Sequence, residues 1–267
     1  MRLFTPLRPD PRAPLARANP VAKLAAAALL MAVLFVSLDP ITPALVLAGL
    51  LAAVPFSGVS SRDLLGRTWP ILLAALAVGV LNAAFAADRG GAVAVSVGPL
   101  AISAQNLVAG MGLALRLLAI AMSGVLALVT TDPTELADAL VQQLRLSPRF
   151  AVGALAAARL FPMLAAEWQT LALARRARGV SGERSPVAAL RLFFGRLLAL
   201  LVGAVRRATR LATAMEARGF GSRPCRSIAR PQRMRGRDWT LLGLAAGLGA
   251  IAVGSSLAFG TWRFLLG

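Results

Sequence analysis

The chain contains no histidine, and Cys225 is its only cysteine. Without histidine it lacks both the commonest acid–base group near neutral pH and the commonest metal ligand. One cysteine permits neither an internal disulfide nor a cysteine-based metal site. Acidic residues are also scarce: eleven, no two of them adjacent, against 29 basic ones. That scatter argues against a membrane-embedded enzyme working on polyprenyl phosphates, which would need clustered carboxylates to hold Mg²⁺.

What the chain does have is apolar surface. Hydrophobic residues make up 58% and charged residues 15%, against about 45–50% and roughly 25% in soluble domains. This composition predicts an all-α integral membrane protein. The net charge of +18 is unevenly placed: between Thr130 and Asp238 stand nineteen arginines and seven acids, twelve of the eighteen net charges. That block alternates with Leu, Ala and Phe and has no stacking set or zinc spacing, so it reads as positive-inside bias rather than a nucleic-acid surface.

The apolar runs predict an N-terminal membrane domain over residues 1–129 with spans at about 20–38, 41–56, 69–87 and 107–129. Residues 1–18, with four arginines and four prolines, form a cytoplasmic arm. No small-x-small cleavage signature follows the first run, and Asp39-Pro40 leads straight into the second, so the pair reads as a membrane hairpin rather than a signal peptide. Its arms are short, so Lys23 is expected to snorkel or the bilayer to thin around it. Arg62 and Arg67 place the connection at 57–68 on the same side as the N-terminus. The Gly-rich stretch 88–103 fits an outer loop or a small β-hairpin. Arg116 lies inside the fourth span, where a charge costs about 2.5–3.5 kcal/mol unless paired or facing protein; either Glu167 is its partner or its side chain reaches the interface.

Residues 130–238 read as a cytoplasmic coupling domain with helices at about 133–146, 148–178 and 186–218. Asp132 or Thr131 can cap the first, with Pro133 in its opening position. The second is apolar but interrupted by Arg159 and Pro162, which favours a helix buried in protein or lying at the interface. In the third, at roughly 100° per residue, Arg191, Arg196, Arg206, Arg207, Arg210 and Arg218 occupy one half of the circumference. Phe193, Phe194, Leu197, Leu201, Val205, Leu211 and Met215 occupy the other. Residues 239–267 supply a last spanning helix, giving about five transmembrane helices.

The second and third of these helices end in the same word. Ala177-Arg178-Gly179 and Ala217-Arg218-Gly219 stand forty positions apart, supported by Arg175 and Arg176 in one case and Glu216 in the other. Cations favour helix C-termini and Gly favours the position beyond them, which accounts for one such end more easily than for two alike. Arginine suits docking because its planar fork holds a carboxylate through two hydrogen bonds and stays charged when desolvated.

Taken with Thr131-Asp132-Pro133-Thr134-Glu135-Leu136-Ala137-Asp138-Ala139-Leu140 and Arg159-Leu160-Phe161-Pro162 with Glu167, these ends resemble the EcfT family, the transmembrane components of energy-coupling factor importers. The resemblance runs from about residue 19 to 238. It implies a bacterial plasma-membrane scaffold, multi-pass with a cytoplasmic N-terminus. Its coupling helices would dock on two ABC-type ATPase subunits and its membrane face would hold a substrate-binding S component. Arg178 and Arg218 would then be the docking arginines, with Ala177, Gly179, Ala217 and Gly219 allowing close approach. The same resemblance implies a non-catalytic subunit with no cofactor or metal, and the chain has no Gly-x-x-x-x-Gly-Lys-Ser/Thr phosphate loop. Family members often differ between the two motifs, whereas here both read Ala-Arg-Gly, so neither is assigned to a particular ATPase. The permease of a conventional ABC importer is the competing reading; it would couple through one short loop. Details of the two helix ends resemble a subgroup associated with thiamine or its hydroxymethylpyrimidine precursor, with biotin, cobalt or a shared vitamin module left open.

Overall fold

The computed structural model describes residues 10, 12–85, 93–97, 100–180, 185–220, 228 and 230–260. Cys225, Arg89 and Arg263 lie outside the described residues. Eight helices follow in order: α1 (Pro20–Val36), α2 (Ile41–Ala53) with a 3₁₀ turn at Val54–Ser57, α3 (Ser61–Phe85), α4 (Ala104–Val129), α5 (Pro133–Gln143), α6 (Pro148–Ala177), α7 (Pro186–Ala217) and α8 (Gly236–Ala258). The expected outer segment holds two short antiparallel strands, β1 (Val93–Val97) and β2 (Leu100–Ser103), with Val97 opposite Leu100. The architecture is thus helical, with one small hairpin.

Helix boundaries follow local chemistry. Asn19 caps α1 by accepting a hydrogen bond from the Val21 amide, with Pro20 at the first position. Ser103 caps α4 from its side chain, so this helix begins three residues before the apolar run. Asp132 rather than Thr131 caps α5, accepting from the Thr134 amide at 2.6 Å. The stretch expected as a connection at 57–68 is instead helical from Ser61, and α3 carries Pro70 within it. Sequence inspection treats proline as a boundary because it removes an amide donor, yet membrane helices tolerate it where other groups satisfy the freed carbonyls.

The chain forms two compact units, residues 1–139 with 232–267 and residues 140–231. The first is built on small residues. A Cβ placed on Gly110 would meet the Gly79 carbonyl oxygen and the Ala83 Cβ, so α3 and α4 touch backbone to backbone, as small-residue seams allow between membrane helices. Leu30, Leu34, Val46, Leu50, Met122, Leu126 and Ala252 form its core.

Polar ties stitch the same unit. The buried Asp238 carboxylate accepts from the Asn19 and Arg235 amides, both at 2.7 Å, and so joins the start of α8 to the start of α1. The buried Asp39 accepts from the Ser37 hydroxyl and the Thr42 amide at the turn between α1 and α2. Lys23 does not snorkel. It is 3% exposed, and its ammonium donates to the carbonyls of Ala16 at 3.0 Å and Thr130 at 2.6 Å. Neighbouring backbone thus supplies the polarity that the sequence reading sought in the interface.

Among the described residues, five helices are long and apolar enough to cross a bilayer: Thr68–Phe85 within α3, Ala104–Val129, Pro148–Ala177, Pro186–Ala217 and Gly236–Ala258. The number matches the sequence expectation but the set does not. α1 and α2 fall in a shorter class, whereas α6 and α7, expected as coupling helices, meet the length and hydropathy criterion. α1 rises only about 25 Å over its length, less than a hydrocarbon core of about 30 Å.

Candidate functional site

The second unit is dominated by α6 and α7, and its chemistry lies at their crossing and at their ends. At the crossing, Glu167 of α6 forms an ion pair with Arg207 of α7. Eight positions further along α6, the Arg175 guanidinium donates to the Leu192 carbonyl at 3.0 Å and lies against Gly195. Pairings therefore run in opposite directions along the two helices, and their C-terminal ends lead away from the crossing on opposite sides. Trp168 fills the middle: Phe193 meets it edge to face at 5.2 Å, and the Arg196 guanidinium lies 4.8 Å over its ring. Gly203 faces Glu167 and Arg207 with no side chain of its own, leaving the ion pair room to close.

Sequence reasoning nominated Glu167 as the partner of Arg116, and the structure overturns that pairing. Glu167 belongs to Arg207, while Arg116 lies on α4, which packs against the α1–α2 turn that carries Asp39. The error has a simple origin. Arg116 was matched to acids by position in the chain, while the close approach of α4 to the α1–α2 turn, where Gly112 lies against Pro40, brings a distant acid near. Arg207, Trp168 and Arg196 were missed as a crossing because the angular analysis of α7 places Arg207 on its cationic face without naming what it meets.

Beyond the crossing, the two helix ends are closed by the same hydrogen bonds. At the end of α6, the Gly179 amide donates to the Arg176 carbonyl at 2.9 Å and the Val180 amide to Arg175 at 3.0 Å. At the end of α7, the Gly219 amide donates to Glu216 at 2.8 Å and the Phe220 amide to Met215 at 3.0 Å. These are two Schellman motifs in register. Gly179 has φ +74° and Gly219 φ +73°, a left-handed backbone that costs a residue with a Cβ about 1–2 kcal/mol. The glycines are thus required by the turn. A Cβ on Gly179 would meet nothing within 4 Å, so no contact among the described residues explains it further.

The arginines are not so explained. Arg178 and Arg218 both occupy the cap position, both are exposed, and neither side chain makes a hydrogen bond or ion pair among the described residues. Ala177, Arg176, Glu216 and Ala217 are exposed beside them, while Arg175 is drawn into the crossing. Arg178 follows Glu167 by eleven positions and Arg218 follows Arg207 by eleven. Each arginine therefore stands about 16 Å of helix beyond the same ionic pin. The structure does not bring the two motifs together; it sets them at equal reach from one point.

The described residues thus form a helical membrane protein with two exposed, arginine-tipped helix ends whose arginines have no partner among them. Comparison with known proteins makes the class specific. Residues 11–228 match the family described as cobalt transport protein, CbiQ. The chain is 30% identical over 247 residues to the energy-coupling factor transporter transmembrane protein EcfT of Exiguobacterium sibiricum, covering 89% of this chain and 92% of that one. The EcfT proteins of Listeria innocua and Lacticaseibacillus paracasei are 32% and 31% identical, each over 85% of this chain and 88% of theirs. The chain belongs to the EcfT family, the transmembrane components of energy-coupling factor transporters.

Proposed function

We propose that this subunit is a non-catalytic scaffold that passes ATP-driven motion from two ABC-type ATPase subunits to a substrate-binding S component. The observation that carries this reading is the pair of congruent helix ends, each offering an exposed arginine at the same distance from the Glu167–Arg207 pin. Two similar ATPase subunits need two similar handles, and a forked guanidinium on a rigid helix end fits a carboxylate-lined socket. Residues 130–238 form the coupling region on the cytoplasmic side, with the N-terminus on that side too, a placement that the arginine distribution supports. α6 and α7 are long enough to span a bilayer, but α7 divides its circumference between arginines and apolar residues, which suits a helix lying between membrane and partner.

The pin gives the coupling a mechanism. Two helices fastened at one crossing act as levers about it, so a shift at either arginine is felt at the opposite arm. The apolar half of α7 is exposed, with Leu198 and Leu201 at 62% and 58%, and supplies the surface on which the S component rides. The cargo is set by that component. Thiamine or hydroxymethylpyrimidine is the first candidate from the helix-end sequences, ahead of biotin and cobalt. Pull-down from native membranes tests the whole reading: two ATPases and a small separate membrane binder should co-purify, and the binder's ligand names the cargo. A conventional ABC permease would instead return no separate membrane binder.

A further inference from the structure

The first unit holds a partly open cavity of about 390 Å³, within the range of ligand sites. It lies between α1, α2, α4 and α8, and its walls are almost wholly Ala, Leu and Gly, with Leu15 and Phe56 contributing from the arm and the 3₁₀ turn. The arm is held there, since the Leu15 amide donates to the Phe56 carbonyl at 3.2 Å. The polar part of the lining is Lys23, Ser123 and Thr130.

Lys23 is the only lysine among the 29 basic residues of the chain. A lysine ammonium has three donors, and among the described residues two are taken, by Ala16 and Thr130. Asp238 is committed to two backbone amides. Among the described residues the third N–H has no acceptor, and the cavity it borders offers space lined mainly by hydrocarbon. Hydrocarbon of that kind surrounds a membrane helix on every side.

We propose that this cavity is a lipid site: it takes one acyl chain of a bilayer glycerophospholipid, whose ester carbonyl oxygen accepts the third N–H of Lys23. The chain would extend the core that Leu30, Leu50 and Leu126 begin, with Leu15 of the arm at its rim. Arginine could not replace the lysine here, because a planar five-donor fork does not fit two carbonyls and one ligand oxygen around a single point.

Native mass spectrometry of the intact transporter complex, released from native nanodiscs and washed in lipid-free detergent, tests the site. The wild type should retain one glycerophospholipid per complex. Lys23→Met should lower the retained fraction by about tenfold, the loss expected from one good hydrogen bond to a charged donor. Ala27→Leu with Ala53→Leu, which fills the cavity and leaves Lys23 in place, should abolish retention while the complex still assembles. Leu76→Ala, on the exposed face of α3, should change nothing. Equal retention in the wild type and the cavity-filled variant would overturn the proposal. So would a structure of the complex in which a partner's side chains occupy the cavity.

Discussion

The two units of this protein solve opposite problems. In the first, helices approach through glycines and alanines, and Asp238, Asp39 and Lys23 each draw on groups from elsewhere in the chain. In the second, α7 has no buried residue and α6 has one, Ala151, and their order rests on a single crossing. The first unit makes its polar ties within its own sequence; the second leaves its apolar and cationic faces open. The difference teaches where function sits: an element meant to grip and move other subunits cannot bury its own contact surfaces.

Perturbing the open unit should spare folding and destroy coupling. Arg178→Glu or Arg218→Glu should each abolish uptake in whole cells without reducing the amount of protein in the membrane. Reversing a desolvated interfacial charge costs about 2–5 kcal/mol, which removes most of an ordinary complex. Normal uptake in both single variants would falsify the docking assignment.

In the closed unit the expectation reverses. Gly110→Leu must push against the Gly79 carbonyl oxygen and Ala83, and overpacking of this kind costs about 1–3 kcal/mol. It should lower the thermal stability and yield of the protein, and what remains folded should still bind ATPases. Binding lost at unchanged stability would erase the contrast between the units.

Smaller effects refine the twin ends. Gly179→Ala and Gly219→Ala should each cost about 1–2 kcal/mol at the helix end through the positive φ alone. Uptake should therefore weaken by a similar factor in both; unequal losses would mean that one glycine also meets a partner closely. The pin comes last. Glu167 and Arg207 are half-exposed, and a pair of that kind contributes about 0.2–1 kcal/mol. Glu167→Arg should reduce coupled ATPase activity several-fold, and adding Arg207→Glu should restore it. A double variant no better than the single one would remove the pin from the mechanism.

How much of this was legible in the sequence varied with the kind of information each feature carries. The helix ends were readable because Ala-Arg-Gly is a local signal, and Gly at a left-handed position is set by the backbone alone. The α7 arginine face was readable because it is periodic. Arg207 facing Glu167 and the two carbonyls around Lys23 were not, since each depends on how separate segments approach. The early start of α3 at Ser61 was missed because Pro70 reads as a boundary in isolation, yet sits inside a helix here.

The central claim is that two matched helix ends hold two ATPases, and subunit stoichiometry measured by native mass spectrometry tests it most directly. The wild-type chain should carry two ATPase subunits, and the Arg178→Glu, Arg218→Glu double variant should carry none while keeping its S component. Two ATPases still bound to the double variant would contradict the account.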